Sequence, residues 1–465
     1  MRQTVVMVSK SWRGYWWLPS SPDARVPGRL VVEEDGRCEL QIIGGLDMGK
    51  ATSRQLSERV PAIFGDAEGQ RITVTDCFVV RQDGFGGPAS QFQDIHVHEA
   101  LVGVHVAPEE AVFESAIVTI EHLSSWLAIQ EHVSRDGTDG VESAATRRPS
   151  ERSCEVDGWT FTARPLVQPF HVVAQRARLT VNGEISNYLV IRAPRPVAAG
   201  GFDKPVLELM DLLTLASGEP SGQIALTLIH KDPNEQLDRD GSSLSLERRV
   251  ECFGARTHTA MPTESAVPDW RFLFTCADKS FEELVPAWLA LRRRAPEACN
   301  VYFGMKYARP NFTEVRLLMI AITAETLHQS IREDETELPP EMFTDLRARV
   351  LASLEDADER RWVKARLRNA PSFLERLSSL VSIPSEAAVT AVIPDIEVWS
   401  RALRDARNNL AHTGNNKSDE DIFVLENITA SLLTLVLMSE LGLTEETQDR
   451  AALQVLAPSL PPIRP

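Results

Sequence analysis

Asp395-Ile396-Glu397-Val398-Trp399-Ser400-Arg401-Ala402-Leu403-Arg404-Asp405-Ala406-Arg407-Asn408-Asn409-Leu410-Ala411-His412 reads as one amphipathic helix, and the character of the C-terminal part follows from it. Pro394 precedes Asp395, a favoured N-cap, and Gly414 follows where a left-handed C-terminal residue would sit. Ile396, Trp399, Leu403, Ala406 and Leu410 recur at spacings of three and four, which predicts one buried stripe. On a wheel of about 100° per residue, Arg407 lies about 60° from the centre of that stripe and His412 about 160° from it. The histidine is therefore expected to face away from its own core. Arg404, Asn408 and His412 follow one another one turn apart on that outward face.

An arginine grips a phosphate through two parallel charge-assisted hydrogen bonds, and an imidazole titrates close enough to neutrality to move a proton. Arg407, Asn408 and His412 together suit phosphodiester cleavage. The competing reading is structural, because a histidine in the last turn of a helix also meets the negative end of the macrodipole. A second segment bears on the choice. Asn311-Phe312-Thr313-Glu314 has the pattern of a capping box, and Val315, Leu318, Ile322 and Glu325 then share one face. A carboxylate on an apolar stripe is costly unless paired, and Arg407 is its natural partner if the two helices pack. Glu325 is then either a plain interhelix ion pair or the group that orients Arg407.

Outward from these helices the texture is uneven. From Phe281 onward apolar residues keep helical spacing, as in Phe281, Leu284, Val285, Trp288 and Leu291, with further helices at Met342 to Leu354, Trp362 to Leu367, Phe373 to Val381 and Ile422 to Leu441. Before it the chain reads mainly as strands. Arg29 to Val32 and Cys38 to Ile43 flank the turn signal Asp35-Gly36, and Leu179 to Val181 and Tyr188 to Ile191 flank Asn182-Gly183. Arg71 to Val80, Ile95 to Val106, Ile117 to Ile120, Ile224 to Ile229 and Arg271 to Thr275 are further strand-like runs, with one helix at Lys204 to Ala216. The expected class is α+β multidomain: a β-rich region over residues 1–277, an all-α helical bundle over 278–456, and a flexible tail over 457–465. The polar stretch 134–153 reads as an exposed loop or a subdomain break.

A net charge of −17 argues against a protein that coats nucleic acid nonspecifically, so any RNA contact has to be local. The basic clusters are Arg292-Arg293-Arg294, Lys306 with Arg309, and Arg360, Arg361, Lys364, Arg366 and Arg368 around Trp362, the last read as a solvated helix face. Six scattered cysteines give neither zinc spacing nor a disulfide framework. Asp94, His96, His98 and His105 could offer ligands but have no second cluster, so no metal is assigned. Gly84-Phe85-Gly86-Gly87 lacks the lysine of a phosphate loop, and Trp16-Trp17 reads as packing before stacking. No N-terminal signal pattern is visible and the apolar run Leu432 to Met438 is too short to span a bilayer, so a cytoplasmic protein is expected.

The segment Phe281 to Leu443, with its helix Thr313 to Ser330 and its Arg407-Asn408-x3-His412, resembles the HEPN superfamily, whose motif is Arg-x4-6-His with a polar residue often following the arginine. Gly14-Tyr15-Trp16-Trp17-Leu18-Pro19, Val26-Pro27-Gly28 and the hairpin-like Arg29 to Gly44 resemble the N-terminal domain of ApeA-type anti-phage proteins. The resemblance implies a metal-independent endoribonuclease, without cofactor, acting on tRNA or mRNA as a homodimer through the HEPN domain. It implies Arg407, Asn408 and His412 as catalytic residues, to which the helix-face reading adds Glu325 and Arg404 in support. It further implies abortive infection set off by a phage-derived ligand or a damaged host component sensed by the N-terminal domain. The alternative is a non-catalytic HEPN scaffold joined to a ligand-sensing β-rich domain.

Overall fold

The computed structural model describes residues 9–46, 59–83, 92–128, 133–138, 141–146, 150–175, 178–239, 242–254, 267–412 and 419–459. Two compact units are present, Met1–Trp270 with Thr275–Pro286, and Arg271–Phe274 with Ala287–Pro465.

In the first unit, β1 (Lys10–Trp17), β2 (Val26–Val32), β3 (Cys38–Ile43), β4 (Val60–Ala67), β5 (Gln70–Asp83) and β6 (Phe92–Val97) close into an antiparallel barrel. Their order round it is β1-β2-β3-β6-β5-β4, with β4 returning to β1. Strand alternation explains the arrangement: Cys38, Leu40 and Ile42 of β3 are buried while Glu39, Gln41 and Ile43 face out. Trp16, Leu30, Ile63, Ile72, Val74 and Ile95 join them in the interior. The Trp16 indole has room because Gly28 and Gly65 lie against it; a Cβ on Gly65 would stand 2.4 Å from the ring. The Asp35-Gly36 turn joins β2 to β3 as predicted, with Gly36 at φ 82° and Asp35 Oδ1 accepting from the Arg37 amide at 3.1 Å.

The rest of this unit comprises β7 (Glu99–Val102), β8 (Phe113–Ile120), α1 (Leu123–Trp126), β9 (Val133–Thr138), β10 (Val141–Thr146), β11 (Arg152–Val156), β12 (Trp159–Gln175), β13 (Arg178–Val197), α2 (Asp203–Ser217), β14 (Gln223–Arg239) and β15 (Ser242–Gly254). Strands β11-β12-β13-β8-β14-β15-β7 run side by side, and β7 pairs with Ile72 to Thr75 of β5 to continue the sheet into the barrel. Helix α2, predicted at Lys204 to Ala216, is buried on most sides and closes on Gly218 at φ 76°.

Three local expectations fail here. Asn182-Gly183 is no turn: β13 continues through it with a shift of register, Asn182 pairing with His171 of β12, because a long cross-strand ladder outweighs a two-residue turn signal. Of the two readings of 134–153, the loop does not hold for its described residues: β9 and β10 pair from Val133 to Thr146 as a two-stranded sheet of their own, and β11 starts at Arg152. Arg271 to Thr275 forms no strand. It follows a short 3-10 turn at Asp269–Arg271 and buries Phe272, Leu273 and Phe274 without ladder partners. The run Ile95 to Val106 is divided at His98 into β6 and β7, and Gly84 to Gly87 lies outside the described residues.

The helical part contains α3 (Phe281–Arg294), α4 (Pro296–Tyr307), α5 (Thr313–Ile331), α6 (Pro340–Ala352), α7 (Ala357–Arg366), α8 (Phe373–Val381), α9 (Glu386–Val392), α10 (Ile396–His412), α11 (Asp419–Glu440) and α12 (Glu445–Ala451). In length and apolarity α11 could cross a membrane, but Leu432, Leu433, Leu435, Val436 and Met438 are buried within its unit, as in a core helix. Against α11 lie α4, through Tyr302 Oη and Thr434 Oγ1 at 2.6 Å, and α5, through Arg316 Nε and Glu426 Oε2 at 2.9 Å. The tail stays helical to Ser459, and residues 460–465 lie outside the described set.

Candidate functional site

Helix α10 starts where Asp395 caps it, Oδ1 accepting from the Val398 amide at 2.9 Å. Trp399, Leu403 and Ala406 form its buried stripe, and Trp399 Nε1 donates to Thr429 Oγ1 of α11 at 3.2 Å. The stripe is shorter than predicted. Ile396, in the first turn, is 41% exposed, and Leu410 is only partly buried. Gly414, the predicted C-terminal residue, lies outside the described residues.

The orientation of α5 differs from the sequence expectation. Its core face is Leu317, Ile320, Ala321, Ala324 and Leu327, while Val315 and Ile322 are 41% and 47% exposed. The face carrying Val315, Leu318, Ile322 and Glu325 is therefore the open side of the helix. The capping box is also absent: Phe312 occupies the N-cap position without a side-chain cap, and Thr313 Oγ1 accepts from Arg316 instead.

Glu325 nonetheless meets Arg407, as the packing of two helices required. Arg407 Nη2 donates to Glu325 Oε2 at 3.1 Å, and Arg407 Nη1 to Asn408 Oδ1 at 3.3 Å. The guanidinium also lies over the Phe373 ring of α8, 5.3 Å from its centre. One acid, one amide and one aromatic face thus fix its plane, while the Arg407 side chain keeps about a third of its surface open. A guanidinium has five N–H donors in a rigid fork, and these contacts leave part of it to meet an oxyanion.

Arg404 is not part of this cluster. Its Nε and Nη2 both turn to Asp405 Oδ1, at 2.8 and 2.7 Å. His412 is the last residue of α10, five positions and about 7.5 Å of helix rise beyond Arg407. Its side chain lies outside the described residues.

The basic clusters read from sequence are mostly engaged locally. Arg292 is buried and donates to Asn300 Oδ1 at 2.9 Å, Arg294 pairs with Glu440, and Arg309 with Glu426 at 3.4 Å. On α7, which buries no residue, Arg361 pairs with Asp358 and Arg366 lies over the exposed Trp362 ring at 4.2 Å, the solvated face expected of it. His105 Nε2 is 2.9 Å from the Gly65 carbonyl oxygen, and His96 packs on Phe78. Among the described residues no group of three or more histidine, cysteine or carboxylate side chains is gathered as a metal site would require. Phe373, which no motif marks, is the contact that sequence reasoning missed; its only signal was its place at the start of a capped helix.

No curated protein and no solved structure matches the chain. The family model of ApeA N-terminal domain 1 matches residues 11–288, and that of Apea-like HEPN matches residues 318–447, a stretch that contains Glu325, Phe373, Arg407, Asn408 and His412. The first match alone spans more than half of the 465 residues, so the chain belongs to the ApeA family and is a HEPN-containing anti-phage defence protein.

Proposed function

We propose that the protein is an endoribonuclease that cleaves RNA by attack of a 2′-hydroxyl on the adjacent phosphate. His412 moves the proton as general base or acid, Arg407 stabilises the charge that develops on the phosphate, and Asn408 holds the guanidinium. Glu325 is a positioning residue. The observation that carries the reading is the partly open guanidinium of Arg407, oriented by Glu325, Asn408 and Phe373. The nucleophile belongs to the RNA itself, so the scheme asks for no metal. A cytoplasmic site of action, with tRNA or mRNA as substrate and a phage-derived trigger sensed by the N-terminal domain, fits a defence protein that harms its own cell.

A homodimer through the HEPN domain is part of the same proposal. Val315 and Ile322 leave apolar surface on the face of α5 that carries Glu325, and a twofold partner would cover it beside the arginine. The scaffold reading draws its support from the Glu325–Arg407 ion pair, which a purely structural role also explains.

Purified full-length protein incubated with total bacterial RNA, beside Arg407→Ala, Arg407→Lys and His412→Ala, separates the two. Cleavage should fall at least about 100-fold in all three variants, lysine included, because an ammonium lacks the planar two-point grip. Equal cleavage by all four proteins would overturn the site. Binding of RNA without cleavage by any of them would favour the scaffold.

A further inference from the structure

The register of five barrel strands lines up two rows of side chains on the barrel's outer surface. Tyr15 of β1 stands opposite Pro27 of β2, and Ile43 of β3 opposite Phe92 of β6. One step along, Arg13 faces Arg29, Arg29 faces Gln41, Gln41 faces Asp94, and Asp94 faces Arg81 of β5. Same-face neighbours on a strand are about 6.7 Å apart, so an apolar row runs directly beside a polar one. The two rows line a groove of about 860 Å³. Tyr15, Phe92 and Ile43 are 57%, 53% and 49% exposed there. The Arg13 guanidinium has no partner among the described residues, and Arg29 reaches only the neutral Ser11 Oγ, at 3.1 Å.

We propose that this face of the barrel binds single-stranded nucleic acid, with bases stacked on Tyr15 and Phe92 and phosphates lying along the arginine row. The residues that line the groove are three arginines against one carboxylate, Asp94, with Glu39 bonded to Gln41 and Glu68 to the Arg13 amide at its edge; within a chain of net charge −17 that lining favours a polyanion. The adjoining aromatic row selects a polyanion that carries flat rings. Stacking on aromatic side chains combined with a basic track is the sequence-tolerant way of holding a single strand. The row separation matches the reach from a phosphate to its own base. A duplex keeps its bases stacked inside and offers only phosphates. An acidic peptide would satisfy the arginines but leave the rings without partners. None of these residues belongs to α5, α8 or α10, so the surface stands or falls separately from the nuclease site.

Fluorescence anisotropy of the full chain with a labelled 12-nucleotide single-stranded DNA tests it, since deoxyribose removes the 2′-hydroxyl and with it the proposed cleavage. The affinity should fall with salt at a log–log slope of about −2, roughly 0.7 for each of three phosphates. It should be at least about tenfold weaker for the duplex of the same sequence. Tyr15→Ala and Phe92→Ala should each weaken binding about tenfold, and Arg13→Glu with Arg29→Glu more than tenfold. All variants should keep the wild-type melting temperature, because the substituted side chains face out. No binding by the wild-type chain, or binding unchanged in a folded Tyr15→Ala/Phe92→Ala protein, would overturn the proposal. Loss confined to Arg407→Ala would place all binding at the helical site and overturn it equally. Poly-glutamate bound through the same arginines in place of the oligonucleotide would put a protein there instead.

Discussion

Arg407 is constrained more closely than a surface arginine needs to be: a carboxylate at 3.1 Å, an amide oxygen at 3.3 Å and an aromatic ring at 5.3 Å all act on one guanidinium. The pair with Glu325 is about a third exposed on each side, where an ion pair contributes on the order of 1 kcal/mol or less to stability. Its value is then in aim. Glu325→Gln should lower kcat for RNA cleavage about tenfold while changing KM and the melting temperature little, measured by single-turnover kinetics and calorimetry. A purely structural pair would instead move the melting temperature and leave kcat alone. This contact was expected from the sequence, but on a premise the structure does not keep: the Glu325 face of α5 is open, and the pair forms there without a buried stripe to require it. The exposed aromatic of the barrel was not legible. Tyr15, Trp16 and Trp17 are adjacent and alike in composition, and only the strand register shows that Trp16 points into the barrel and Tyr15 out of it.

At the scale of elements, α5 is anchored at both ends by polar contacts. Near its start Arg316 is almost buried against Glu426 of α11, with Arg309 beside them. Removing one partner of such a pair leaves an uncompensated charge inside the protein, so Glu426→Ala should cost about 3 kcal/mol by urea denaturation. A cost under about 1 kcal/mol would mean that water reaches Arg316 freely. Near the end of α5, His328 is buried with Nε2 3.1 Å from Glu335 Oε2, and Ser379 of α8 donates to the same oxygen at 2.7 Å. Burial is the largest influence on His328 and lowers its pKa; Glu335 works the other way, and the charges of Arg376 and Arg332 add to the lowering. The folded state therefore resists protonation that the unfolded chain accepts. Stability from this group is full above about pH 6.5 and is lost as the pH falls below that toward the depressed folded value. Between pH 7 and pH 5 the wild-type melting temperature should fall further than that of His328→Gln, and parallel curves would contradict this. The existence of α5 was readable from its apolar content, but its buried face was not. Val315, Leu317, Leu318, Ile320 and Ile322 surround the axis, and a helix apolar on several sides carries no periodic signal to say which side meets the core.

For the molecule as a whole, the change from strands to helices was visible because the hydrophobic period itself changes, from two to about 3.6 residues. Where single strands ended was less visible, as at Asn182-Gly183, since pairing across the sheet decides that and local turn chemistry does not. The proposed homodimer belongs to this scale too, since the exposed Val315 and Ile322 are the surface a twofold partner would cover. Light scattering should give twice the 51.7 kDa of the chain. Ile322→Glu should give a folded monomer with cleavage reduced at least about tenfold, and a fully active monomer would refute a composite site. The claim on which the rest depends is that RNA supplies its own nucleophile, and the end chemistry of fragments formed in excess EDTA tests it most directly. The account predicts 2′,3′-cyclic phosphate and 5′-hydroxyl ends, with no cut where 2′-deoxyribose stands at the cleavage position. Fragments ending in 3′-hydroxyl and 5′-phosphate, or activity abolished by chelation and restored by a divalent ion, would contradict it.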